Sequence, residues 1–116
     1  MIRALAMAVC LSLPYTAAAS ELTAATLWGY CSDHSGSPKE LACIMYLEGF
    51  AAGIEAGDGS KAARDRIWCF PQGSTVSQAR LVVEKYMRDH PEILHQSANL
   101  ITAVALLLAF PCPNSN

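Results

Sequence analysis

The residues best able to do chemistry in this chain are its five cysteines and three histidines. Cysteine and histidine bind zinc when they come in close pairs. Here Cys31, Cys43, Cys69 and Cys112 are separated by stretches of 11, 25 and 42 residues, with no C-x-x-C and no H-x-x-x-H. Disulfide formation suits that spacing better than metal binding. Catalysis has little to work with, because His34, His90 and His95 stand in no recognisable arrangement with a nucleophile, and His90 directly precedes Pro91 as a helix-cap residue. Ser74, in "QGSTV", lacks the second glycine of a nucleophile elbow. Asp58 and Asp65 do not read as a calcium loop, since the alternating oxygen ligands and the terminal glutamate are missing. We therefore expect no cofactor, no metal and no turnover.

Whether the cysteines oxidise depends on the compartment. Residues 1–19, "MIRALAMAVCLSLPYTAAA", combine Arg3, an apolar body from Ala4 to Leu13 and the small-residue run Ala17, Ala18, Ala19, which is the pattern of a secretory signal peptide. Val9 before Cys10 argues against a lipoprotein site. Cleavage after Ala19 leaves residues 20–116 as one domain and 97 of the 116 residues, a size at which cores are thin and covalent staples common. It also removes Cys10, leaving an even four cysteines for an exported, oxidising setting such as the periplasm. Lys plus Arg falls from 8 to 7 against 10 for Asp plus Glu, a net charge of −3 without a basic block, so nucleic acid is not an expected partner.

The elements that must hold these cysteines read as four helices, giving an all-α fold. "ELTAATLWGYCS", 21–32, is a short helix burying Leu22, Leu27, Trp28 and Cys31. A second helix starts with Ser37 as cap, Pro38 at the first position and Glu40 closing a capping box, and runs to about Ala56. Its apolar side is read as Leu41, Ile44, Met45, Leu47 and Ile54, and Gly49, Gly53 and Gly57 read as the seat of a close helix crossing. The third helix is capped by Thr75 and Gln78 and ends near Asp89. Pro91 opens the fourth, which Pro111 stops beside Cys112. Within that last helix the apolar run from Leu100 to Phe110 is 11 residues, about half the roughly 20 needed to cross a bilayer, so no membrane span is expected after signal cleavage.

An antiparallel third and fourth helix put Cys112 near the start of the third. The fourth helix overshoots by about six residues, roughly 9 Å at 1.5 Å per residue. The six residues between Cys69 and Val76 reach about 20 Å when extended, enough to let those sulfurs meet. Cys31 at the end of the first helix and Cys43 about a turn and a half into the second lie at similar height in an antiparallel pair. The expected bridges are Cys31 to Cys43 and Cys69 to Cys112.

Four segments in this order, "CIMYLEG" at 43–49, "CFPQGSTVSQ" at 69–78, "YMRDHPEILH" at 86–95 and "AFPC" at 109–112, resemble the Rap/Tai family. Its characterised members are periplasmic immunity proteins against type VI secretion amidase effectors. The resemblance implies a small, disulfide-bonded helical protein that binds a secreted peptidoglycan amidase and blocks it, often as a homodimer. The residues by themselves also fit a small periplasmic chaperone or an envelope structural protein with no toxin partner.

The matched segments are mostly scaffold and leave the binding surface to be found elsewhere. The polar connection from Gly57 to Arg66 gathers Asp58, Lys61, Arg64, Asp65 and Arg66 between two disulfide-held helix pairs, and loops on rigid scaffolds are favoured binding sites. Trp68 and Phe70 are the nearest large apolar anchors. The same stretch also reads as a plain solvated linker.

Overall fold

The computed structural model describes residues 20–58, 66 and 68–113. The signal-peptide reading of residues 1–19, and Lys61, Arg64 and Asp65 of the connecting segment, lie outside the described residues. Among those described there are four α-helices, α1 (Ala24–Cys31), α2 (Pro38–Asp58), α3 (Val76–Asp89) and α4 (Ala98–Ala109), with a 3-10 turn at Pro91–Ile93. Strand pairing among them is limited to one antiparallel bridge between Thr23 and Ser97.

Local signals account for most helix starts. Thr75 and Gln78 form the expected capping box on α3, with the Gln78 N–H on the Thr75 hydroxyl at 3.2 Å and the Thr75 N–H on Gln78 Oε1 at 2.9 Å. At α2 the Glu40 N–H donates to Ser37 Oγ at 3.0 Å, but the Glu40 carboxylate reaches back one residue further and accepts from the Gly36 N–H at 2.6 Å. Gly36 (φ 83°) and Gly73 (φ 87°) occupy the left-handed region in the turns that lead into α2 and α3, where a side chain would be strained.

The fourth helix does not begin at Pro91. After the 3-10 turn the chain makes a further turn through residues 94–96, and carbonyls there serve a different helix. The Ala24 N–H donates to Gln96 O at 2.8 Å and the Ala25 N–H to Leu94 O at 2.9 Å, while the Thr26 N–H takes the Thr23 hydroxyl at 3.3 Å. The first turn of α1, which has no intrahelical acceptors for these donors, is thus satisfied by residues 94–97. A helix continued through 94–97 would have spent those carbonyls on itself. The Ala98 N–H closes the exchange by donating to Leu22 O at 2.8 Å, which is also why α1 starts at Ala24 rather than at Glu21.

Burial on α2 departs from the expected face. Cys43 and Leu47 are buried, and Tyr46, Phe50 and Ile54 pack against them, but Leu41 and Met45 are each 59% exposed. At 3.6 residues per turn those two lie roughly opposite Cys43, and the Cys31–Cys43 bridge fixes which side faces inward. The glycine strip is likewise not a crossing: a Cβ added at Gly49, Gly53 or Gly57 would meet nothing within 4 Å.

Both disulfides are formed in the expected pairing, Cys31–Cys43 and Cys69–Cys112. Beside the first lies a polar knot. Arg80 of α3 donates to the Cys31 carbonyl at 2.6 Å, at the C-terminal end of α1, and sits 3.5 Å from Glu40 and 3.4 Å from Glu84. One side chain therefore joins α1, α2 and α3, and the carbonyl end of α1 favours its positive charge. Replacing Arg80 with alanine removes the partner of the buried Glu40, and we expect a loss of about 2 to 3 kcal/mol in urea unfolding, above the range of exposed pairs. A loss under half a kcal/mol would show that the knot is ornamental.

Candidate partner-binding site

Ten residues beyond Asp58, the last residue of α2, the chain is back against that helix with Trp68, Cys69 and Phe70. Its aromatic rings continue a row begun on the helix. Tyr46 and Phe50 have centroids 6.0 Å apart, Phe50 and Trp68 5.6 Å, Trp68 and Phe70 5.9 Å, and Phe70 and Phe110 4.8 Å. Such spacings lie in the favourable range for offset and edge-on rings. The row is tied at one end by the Tyr46 hydroxyl, which donates to Asn99 Oδ1 at 2.9 Å on α4, and burial pushes the Tyr46 hydroxyl pKa upward. At the other end the Cys69 N–H donates to Phe110 O at 3.0 Å beside the Cys69–Cys112 bridge.

This return leaves a cleft of about 430 Å³ between the end of α2 (Ile54, Glu55 and Asp58) and Arg66, Trp68, Cys69 and Phe70. Four residues expected from sequence to meet a partner, Asp58, Arg66, Trp68 and Phe70, come together around it. Their environments differ from those of a solvated loop. Asp58 is the last residue of α2 and is buried, and Trp68 is only 5% exposed, so it supports the cleft from the core rather than offering itself as an anchor. Phe70 is half-buried and Arg66 exposed, leaving these two to present surface. Cys112 Sγ lies 3.8 Å from the Arg66 carbonyl; a disulfide sulfur carries no proton to donate, so this is packing.

The histidines are elsewhere. His34 pairs with Asp33 at 3.0 Å, and the His34 backbone N–H draws the Asp33 carboxyl below its usual pKa. His90 stacks on Tyr86 and pairs with Glu92 at 3.1 Å, and His95 is exposed. Among the described residues no three of His, Cys, Asp and Glu are placed to hold a metal ion. No helix of the described residues is long and apolar enough to cross a membrane.

The described residues thus form a small helical scaffold, closed by two disulfides and offering a cleft at the end of α2. The family model of Rap1a immunity proteins matches residues 23–112, and the chain belongs to that family. No curated protein and no solved structure matches it.

The Cys69–Cys112 bridge closes a 43-residue separation, for which the chain-entropy estimate is about 4 kcal/mol. Replacing both cysteines by serine should lower stability by that order and move Trp68 emission to longer wavelength as the row loosens, with far-ultraviolet helicity retained. Unchanged emission would mean that the aromatic packing holds without the bridge.

Proposed function

We propose that this protein is exported through its first 19 residues to the periplasm, where it binds and inhibits a peptidoglycan amidase delivered by type VI secretion. The observation that carries this reading is the match to an immunity family over residues 23–112, which takes in both disulfides, all four helices and the cleft. Immunity by binding requires a stable surface and no chemistry of its own. The disulfide-held scaffold supports that requirement. Inhibition is stoichiometric, without turnover, metal or cofactor.

The contact surface is centred on the cleft, with Asp58, Lys61, Arg64, Asp65 and Arg66 steering the encounter and Phe70 supplying apolar area over Trp68. The effector to test is the product of an amidase-like gene sought beside the one for this protein. Co-expression of that enzyme in the periplasm should be lethal alone and tolerated with this protein. Replacing Lys61, Arg64 and Arg66 together should weaken binding roughly tenfold or more, with an unchanged thermal midpoint. Equal affinity of the triple variant would move the contact to a helix face.

The protein acts as a homodimer joined through α4. This helix carries no charged residue, and its outer side presents Leu100, Val104, Leu107 and Leu108 at helical spacing, with Leu108 66% exposed. Light scattering should give twice the mature chain mass, and Leu107→Glu with Leu108→Glu should give the monomer. A monomeric wild type at tens of micromolar concentration would remove the dimer from this reading.

A further inference from the structure

Beyond the cleft, Glu55 and Phe70 form the shared wall of a second depression, bounded by α2, the start of α3 and α4, with a volume of about 300 Å³. Its floor is apolar, made by Leu47, Ala79 and Leu106, all buried. Alanines at positions 51 and 52 keep it open where larger residues would fill it. On the α2 side the rim is acidic: Glu48 and Glu55 both line the groove and both are exposed. Neither has an ion pair or hydrogen bond among the described residues. The facing elements contribute Ser74, Thr75, Val76, Ala79 and Leu106 and no charge at all.

We propose that this groove is a docking subsite for an extended segment of a partner protein in which an apolar side chain is flanked by two basic ones. The identity of the partner as the effector rests on the function proposed above, and the chemistry of the subsite does not. The volume, at the lower end of ligand pockets, suits a single large side chain rather than a cofactor. Glu48 and Glu55 are seven residues apart on α2, about 10 Å along its axis. In an extended chain, residues on one face recur about every 6.8 Å, so a basic–x–apolar–x–basic pattern places its apolar residue between two cations about 14 Å apart. Long basic side chains lean inward over that difference, laying their methylene stems on apolar surface while the charged heads meet the carboxylates.

The test uses the blocked peptide Arg-Ala-Leu-Ala-Arg and its uncharged citrulline counterpart, titrated into isotope-labelled full mature protein and followed by amide chemical shifts. The arginine peptide should give saturable shifts confined to residues 47–55 and 74–79. The citrulline peptide should bind roughly fivefold more weakly or worse, as should the arginine peptide to Glu48→Gln with Glu55→Gln. Ala52→Trp, an exposed position at the groove, should abolish the shifts while leaving the remaining spectrum intact. Equal binding of both peptides, shifts spread over other faces, or no saturable shift overturns the subsite. A second arm separates the two proposals. If the effector is neutralised equally by the wild type and by Glu48→Gln with Glu55→Gln, the groove is not part of the effector contact and the immunity reading stands. If the effector is not bound by the wild type at all, the immunity reading falls while the peptide result still decides the groove.

Discussion

The bridge between Cys69 and Cys112 is the constraint on which the cleft end of this molecule depends. Of the two disulfides it closes the longer stretch, 43 residues in sequence against 12, and so removes more freedom from the unfolded chain. It also fixes geometry in the folded one. Cys69 stands between Trp68 and Phe70, and Cys112 follows Phe110 by two residues, so a single covalent link sets three of the five rings in the aromatic row. The cleft is what remains between that row and the end of α2. Without the link the returning segment would be held by one backbone hydrogen bond and ring contacts, each worth about 1 kcal/mol, against the entropy of ordering several residues.

The other end of the molecule is organised differently, by polar groups in short supply. α1 has only eight residues, too few to be stable alone, and its first N–H groups need acceptors. The Leu94 and Gln96 carbonyls and the Thr23 hydroxyl provide them, and the last carbonyl of α1, that of Cys31, meets Arg80. Both ends of the shortest helix are therefore satisfied from elsewhere in the chain, and the Cys31–Cys43 bridge sits beside the second of these contacts. One donor remains: Arg80 Nε has no partner among the described residues, as is also true of Trp28 Nε1. The knot thus stabilises through its carboxylate and carbonyl contacts while leaving part of the guanidinium unsatisfied.

Features encoded within a few residues of one another were legible in the sequence. The caps at Ser37 and Thr75, the helix ends at Asp89 and before Pro111, and the disulfide pairing follow from local residue types and the reach of the chain. The misreadings all required knowledge of what lies across a contact. Pro91 is a sound first helical residue, but whether the Leu94 and Gln96 carbonyls feed their own helix or α1 is decided by tertiary pairing. Leu41 and Met45 have the right spacing for a buried stripe, and only the direction of the Cys43 bridge turns them outward. α4 is apolar but for Asn99 and Thr102, and Thr102 is fully buried, so its few polar residues do not mark its exposed side. Around the cleft, Asp58, Arg66, Trp68 and Phe70 could be named from sequence, but not that Asp58 closes a helix or that Trp68 faces the core. The alanine groove went unread because alanine positions stand out only when larger neighbours frame them.

These placements bear on how a protein of this size manages to bind anything tightly. Ordering side chains and loops on association costs about 0.5 to 1.5 kcal/mol for each mobile side chain, so a surface already fixed before encounter keeps more of its contact energy. The cleft and the groove share Glu55 and Phe70, one on a 21-residue helix and the other next to a disulfide, so the wall between them is fixed from both sides. That makes the two depressions a single pre-shaped relief rather than two independent pockets. It also explains a division of labour among the residues that line it. Leu47, Trp68 and Leu106 are committed to the core and give the relief its shape, whereas Glu48, Glu55, Arg66 and the outer edge of Phe70 lie at its rim and, in the function proposed here, set what it recognises. Recognition can therefore drift by substitution at exposed rim positions without disturbing the core, the arrangement expected of a scaffold whose partner is set by its surface.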